Sequence, residues 1–227
     1  MRIAPEGWVV IVPFALVCLV LPGLAGLVSP WLAGVLGLPA LLLIFWALWF
    51  FRDPHREPPA GTGPDVVISP ADGKVLKVDM APLPKELRTG DADNQPLPRV
   101  SIFLNLLNVH VNRTPVGGKI EKIVYTPGKF FNASLDKASE FNERSAVLMS
   151  DPAGRKVAFS QIAGLVARRI VNHLREGQSV QRAERFGLIR FGSRAEIYFP
   201  PGSQIGVKSG DITVAGVSTL GTLPPAR

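Results

Sequence analysis

A glycine and a serine interrupt a segment that otherwise reads as a β-strand, RFGSRAEIYF, from Arg190 to Phe199. Ile189, Phe191, Ala195, Ile197 and Phe199 fall at period two, the pattern of a half-buried strand. Glycine weakens a strand interior and marks a bulge or a close backbone approach. The pair Gly192-Ser193 also offers chemistry. If the Ser193 hydroxyl attacks the Gly192 carbonyl, the peptide bond becomes an ester. Gly192 has no Cβ, so that carbonyl is approachable and the backbone can take strained angles. Removal of the Ser193 α-proton then expels the upstream chain as a carboxylate. The dehydroalanine left behind hydrolyses to a pyruvoyl group, a ketone that draws electrons as a carbonyl cofactor does.

The dipeptide alone is weakly specific. A strand bulge accounts for it, and the second copy, Gly202-Ser203 in PPGSQ, reads as a turn. A serine-hydrolase nucleophile at Ser193, with His110 and Asp72, is a rival reading. The G-x-S-x-G elbow is absent, because Phe191 and Ala195 stand at the outer glycine positions. Asp72 lies in SPADGKV, which also reads as an Asp-Gly hairpin turn. His110 lies in the alternating stretch LNVHVNRTPVGG, where a lone histidine also fits a core position. Arg168 and Arg169, in QIAGLVARRI, suit a solvated or phosphate-facing edge. No metal site is expected: the three histidines are far apart, and the single cysteine, Cys18, sits in an apolar run.

The elements that must position these residues fall into two parts. Trp8–Val28 and Trp31–Phe51 are uncharged runs of about 21 residues, close to the ~20 that span a bilayer. Only Ser29 and Pro30 separate them, which predicts a membrane helical hairpin, with re-entrance as an alternative because of Pro13, Pro22 and Pro39. A signal peptide fits the first run poorly: it is too long, lacks a small-residue cleavage site and is followed at once by a second run. Residues 1–56 are therefore read as a membrane-associated hairpin with the start of a linker, and residues 57–227 as the catalytic domain.

In that domain, short β-like runs punctuated by Gly and Pro predict a mainly β (α+β) fold. They are Val66–Ile68, Lys74–Val78, Val100–Leu104, Lys119–Tyr125, Ala146–Met149, Val157–Ile162, Leu188–Phe191 and Ala195–Phe199, with further ones near Ile205–Val207 and Ile212–Ala215. A short helix is expected in Ser134–Arg144, while Ala167–Leu174 is ambiguous and Met80–Pro98 reads as a surface loop. SPADGKVLKVD and IGVKSGDITVAGVSTLG echo each other, like the hairpins of small biotinyl or lipoyl carrier domains.

The formal net charge is +7. The basic residues are not interleaved with aromatics, and no nucleic-acid-reading motif is present, so the charge points to an anionic lipid surface. Arg2 precedes the hairpin, and Arg52 and Arg56 follow it. By the positive-inside rule the soluble domain lies on the cytoplasmic side of the inner membrane.

Taken in order, FFRDPHR, SPADGKV, NVHVNRTPVGG, PGKFFNASLDKASEFNER, QIAGLVARRIV and RFGLIRFGSRAEIYFP resemble the short bacterial form of phosphatidylserine decarboxylase across the whole soluble domain. The resemblance implies self-cleavage between Gly192 and Ser193 into a membrane-associated β chain, 1–192, and a small α chain, 193–227, that stay together as a heterodimer and can oligomerise further. It implies a covalent pyruvoyl group from Ser193 that forms a Schiff base with phosphatidylserine and yields phosphatidylethanolamine. It expects strands on both sides of the cut to share one sheet. It also implies roles for Asp72 and His110. Longer relatives carry a second histidine three residues after the first. Here Arg113 stands there, and an arginine stays protonated and cannot be a general base. Either His110 serves both maturation and protonation of the product, or Asp72 works without a histidine relay. Arg113 and Arg168 are candidates for holding the substrate's carboxylate or phosphate.

Overall fold

The computed structural model describes residues 2–88, 90, 94–133, 141–165, 169–190 and 192–226. They form two compact units, residues 1–55 and 56–227. In the first, helices α1 (Pro5–Val28) and α2 (Pro30–Phe50) are joined through Ser29. Ser29 is extended, with φ −159° and ψ 129°, which breaks the helical path. Pro30 then begins α2 at a position where the missing N–H costs nothing. The Ala4 N–H donates to Phe51 O and the Asp53 N–H to Arg2 O, each at 2.8 Å, so the outer ends of the hairpin meet. At 1.5 Å per residue the helices are roughly 36 and 32 Å long, enough to cross a hydrocarbon core of about 30 Å. Arg52 closes α2: its Nη1 donates to Trp49 O at 2.7 Å, a cation at the helix's negative end.

The second unit is mostly β. Its largest sheet has eight strands: β2 (Gly73–Ala81), β3 (Leu97–Leu104), β5 (Gly118–Thr126), β6 (Arg144–Ser150), β7 (Lys156–Ala163), β9 (Ser179–Val180), β11 (Ser193–Tyr198) and β13 (Ile212–Thr213), in the order β13-β2-β3-β11-β7-β6-β5-β9. A second sheet joins β1 (Val66–Ile68), β14 (Thr219–Thr222) and β12 (Gln204–Ile205). A third joins β4 (Val111–Arg113), β10 (Arg185–Ile189) and β8 (Ile170–Asn172) in the order β4-β10-β8.

The strand-like run around Gly192 is therefore two strands in different sheets. β10 belongs to the three-stranded sheet and β11 to the eight-stranded one, so the strands that directly flank the cut lie in different sheets, while strands from both sides of it share the large sheet as expected. The two halves interlock there. β11 pairs along its full length with β3 on one edge and β7 on the other, both of which precede Gly192. The predicted helix over Ser134–Arg144 falls mostly outside the described residues, and Arg144 itself opens β6. In the ambiguous stretch Ala167–Leu174, residues 170–172 form β8.

Both faces of the large sheet are buried. One carries Ile102, Leu104, Phe159, Ala195 and Ile197, packed with Val67, Phe186 and Leu220 from the smaller sheets. The other carries Ala146, Leu148, Ala158 and Tyr198 under Leu83 and Leu87. The segment after β2 is thus partly core rather than a surface loop. Double burial also explains why β6 reads SAVLMS, apolar at consecutive positions.

Charges are buried on that second face. Tyr198 donates its hydroxyl to Glu196 Oε2 at 2.8 Å, and Ser101 Oγ donates to Glu196 Oε1 at 3.2 Å. Arg99 forks onto Asp79 at 3.0 and 2.8 Å, across the directly opposed pair of β2 and β3. Burial raises the Tyr198 phenol, with the Glu196 charge adding to it. Burial works the same way on Asp79, but its hydrogen bonds with Arg99 and Lys77 outweigh it and hold the carboxyl below its ordinary value. A depressed carboxyl contributes stability above its unfolded pKa and loses it as pH falls through the folded value. Asp79→Asn should therefore cost about 1–2 kcal/mol near pH 7. That deficit should close below about pH 4, as read by denaturant midpoints across pH.

Candidate active site

Ser193 is the first residue of β11, opposite Leu104 on one side and Ala163 on the other. It is fully buried, and its Oγ has no hydrogen-bond partner among the described residues. A hydroxyl in that state is costly and rare in a native interior. Gly192, just before it, has φ +61°, the left-handed region that side chains disfavour. Its own Cβ position is open, with nothing within 4 Å. Its carbonyl is confined from another side. A Cβ on Gly164 would lie 1.9 Å from Gly192 O, so the carbonyl rests on the bare Cα of Gly164. That is the approach of a Cα–H···O contact. The junction is also tied upstream, where the Arg190 N–H donates to Arg169 O at 3.2 Å.

His110 reaches this region through the turn that follows β3. Asn105 and Asn108 close that turn: the Asn105 N–H donates to Asn108 Oδ1 at 2.9 Å, and the Asn108 N–H to Asn105 O at 3.1 Å. His110 is 2% exposed, and its carbonyl accepts the Ile189 N–H at 3.3 Å, three residues before Gly192. Its Nδ1 lies 3.0 Å from Asn108 O. A carbonyl only accepts, so Nδ1 carries a proton, which leaves the buried Nε2 as the nitrogen that can gain or lose one.

Asp72 is committed elsewhere. Arg56 Nη1 and Nη2 donate to its two oxygens at 2.7 and 3.0 Å, and the Ala215 N–H donates to Oδ1 at 2.8 Å. The Asp-Gly hairpin reading does not hold, because Gly73 begins β2 and its Cα packs on Phe103 O, where a Cβ would sit at 2.1 Å. Lys74 is opposite Phe103, and Phe103 is opposite Arg194, so Asp72 and Ser193 share one end of the sheet. They stand two strands apart, roughly 10 Å.

Arg113 belongs with Asp72 rather than with His110. It lies at the far end of β4, opposite Arg185, whereas His110 adjoins Ile189. Its Nη1 donates to Ala183 O at 3.1 Å. The Cβ position of Gly216 is 2.8 Å from Arg113 Cδ and 3.5 Å from Arg56 Cβ, which places both arginines in one cluster. Arg168 lies outside the described residues.

Sequence reasoning missed three residues. Gln161 Nε2 donates to Asn112 Oδ1 at 2.9 Å, and Asn112 Nδ2 donates to Pro70 O at 3.3 Å. This buried chain links the Asp72 segment to β7. Gln161 stands opposite Ala195, on the same face as Ser193, and its Oε1 is buried without a partner among the described residues. Gly164 is the third. Gln161 and Gly164 both lie in QIAGLVARRI, where the paired arginines are the more conspicuous signal.

The sequence pattern of the phosphatidylserine decarboxylase family matches residues 43–221. The chain is 50% identical over 190 residues to a phosphatidylserine decarboxylase proenzyme of Magnetococcus marinus, covering 84% of each chain. It is 52% identical over 185 residues to the protein of that name from Xanthobacter autotrophicus, covering 82% of this chain and 77% of the relative. For the one from Nitrobacter winogradskyi the identity is 45% over 218 residues, covering 96% and 83%.

The Arg56–Asp72 pair is 12% and 11% exposed at its side chains, so breaking it strands a mostly buried carboxylate. Arg56→Gln should lower unfolding stability by about 2 kcal/mol. Arg56→Lys should recover only part of it, because an ammonium cannot reproduce the two-pronged contact. Denaturant midpoints of the three proteins at pH 7 check both outcomes.

Proposed function

The chain belongs to the phosphatidylserine decarboxylase family, and we propose that it matures by cutting itself between Gly192 and Ser193 to make a pyruvoyl group from Ser193. It converts phosphatidylserine to phosphatidylethanolamine, a step of phospholipid synthesis. One observation carries the maturation reading. Ser193 holds a buried hydroxyl without a partner, directly after a left-handed glycine whose carbonyl is confined against Gly164.

The maturation chemistry balances within the chain's own residues and water. Ser193 Oγ bonds to the Gly192 carbonyl carbon, the C–N bond breaks, and the Ser193 nitrogen takes the proton. A base then removes the Ser193 α-proton, the Cβ–Oγ bond breaks, and Gly192 leaves as a carboxylate. Water hydrolyses the remaining enamine, releasing ammonia. Gly192 makes the carbonyl accessible, and the orphaned hydroxyl and the Gly164 cradle fit a pyruvoyl group at this position. When present, that group supplies the electron-accepting carbonyl for loss of CO2. His110, whose Nε2 can gain or lose a proton, is assigned the proton transfers in both phases, because both Asp72 oxygens are taken up by Arg56 and Ala215 N–H. Asp72 then serves by fixing Arg56 beside Arg113, a pair suited to an anionic headgroup. Arg168 remains a further candidate for that role.

The β chain, 1–192, and α chain, 193–227, stay together in this reading, which the double pairing of β11 supports. The likeness to biotinyl and lipoyl hairpins belongs to the same proposal, supported by the pairing of Lys74 with Ile212 and of Gly73 with Thr213. The helices α1 and α2 anchor the chain in the inner membrane, with the second unit on the cytoplasmic side.

Intact mass of the purified protein should give two chains split before Ser193, the smaller beginning with pyruvoyl. A single chain that reacts at Ser193 with a fluorophosphonate would sink this reading in favour of a hydrolase. Gly164→Ala adds one methyl where the carbonyl of Gly192 now lies. It should slow the cut by roughly a hundred-fold, the scale of a 1 Å misplacement. Hydroxylamine, which cleaves the ester, should not release the fragment from this variant.

A further inference from the structure

The large sheet has a hydrogen-bonded row that runs Lys74, Phe103, Arg194, Ile162, Arg144, Thr126 across six strands. Ser193, Leu104 and Ala163 form part of the next row. Beyond it lie three connecting segments. The first follows β3 and carries Leu106 and Leu107; the second follows β7 and carries Leu165; the third, between β5 and β6, carries Phe130, Phe131 and Phe141. The last two are fastened to each other: Asn142 Nδ2 donates to Phe131 O and to Ala163 O at 2.7 Å each, and the Phe131 and Phe141 rings meet edge-on at 6.3 Å.

These side chains face outward. Leu107 is 64% and Leu165 66% exposed, and the other four are also exposed. Of the large exposed apolar residues described in residues 56–227, only Val78 and Met80 lie toward the opposite end of the sheet, where Val78 pairs with Val100 and Met80 with Pro98. Exposed apolar side chains gathered at one end of a domain mark an interaction surface.

Among the described residues the exposed charges have one sign, while the sequence between them adds Asp136, Lys137 and Glu140. Lys129 and Arg169 are exposed and Arg190 is half-buried. Glu143 is the one carboxylate among the described residues of these segments, and it is 6% exposed and accepts the Ile170 N–H. Leucine and phenylalanine with exposed Lys and Arg beside them suit the boundary between acyl chains and headgroups. The chain's two membrane-length helices place a bilayer within its reach.

We infer that the described residues of these segments form a membrane-docking rim around Ser193. Their leucines and phenylalanines enter the headgroup–acyl boundary, and Lys129 and Arg169 meet anionic lipid. This rests on the reading of the chain as an enzyme of phospholipids. A shallowly seated rim lets a headgroup reach Ser193 while its acyl chains stay in the bilayer.

The test uses the full chain in nanodiscs of phosphatidylcholine and phosphatidylglycerol, in a Cys18→Ala background. An environment-sensitive fluorophore is placed at Leu107→Cys, Leu165→Cys and, as a control at the other end of the sheet, Met80→Cys. Nitroxide-labelled lipid should quench the labels at 107 and 165 several-fold more than the label at 80, and their emission should shift to the blue. Equal quenching at all three positions overturns the rim. So does quenching at 107 and 165 that depends on a second labelled copy and not on nitroxide lipid, because a partner chain then covers the face. The readout needs neither self-cleavage nor decarboxylation, so a failure of the enzymatic reading would be seen separately, in the mass and in product formation.

Discussion

The double pairing of β11 is the constraint on which the rest depends. A strand bonded along both edges cannot shift register without breaking two ladders at once, and each residue's face is then fixed by the pleat. Ser193 is held at the head of that strand, side chain inward, between the ends of β3 and β7. The chain arrives from β10, in another sheet, and must change direction to enter β11. The left-handed φ of Gly192 belongs to that change. The left-handed backbone and the confined carbonyl thus follow from moving a chain from one sheet to another, beside a strand paired on both edges.

The same strand carries opposite characters on its two faces. Ser193, Ala195 and Ile197 face an apolar core, while Arg194, Glu196 and Tyr198 face a buried polar layer shared with Arg99, Asp79 and Ser101. Buried charge is expensive unless it is paired. Here the partners come from β2, β3 and β11 themselves, so satisfying them also demands that these strands keep their register. Asp72 and Arg56 do a similar job at the strand end, where Asp72 ties the segment before β2 to Ala215.

The proposed membrane geometry has a simple energetic motive. Withdrawing a diacyl lipid from the bilayer would cost about 0.8 kcal/mol for every CH2 exposed. A catalytic unit that brings its reactive residue to the headgroup avoids that cost. The arrangement of apolar side chains just beyond the Ser193 row is consistent with such an economy, and the chain also carries two helices long and apolar enough to cross a membrane.

Much was legible from residue types and spacing. The two apolar runs and most of the strands follow from local rules, because helix length and period-two alternation act within a few residues. The short strands β4, β8, β9 and β14 were not legible, since two to four residues carry no period of their own and pair only because neighbours are already in place. For Asp72 and His110 the sequence left open whether His110 serves both steps or Asp72 works without a histidine relay. The fold gives Asp72 to Arg56 and puts His110 beside Ile189, since His110 just precedes β4 and Arg113 ends it. Nothing local marks Gly164 either: its bare Cα matters only because the Gly192 carbonyl, twenty-eight residues on, is folded against it. Sequence by itself singled out Gly192-Ser193 as the candidate peptide bond, through glycine's missing Cβ and the motifs that surround it. Tertiary structure alone decided which groups surround it, because those contacts are made between strands distant in the chain.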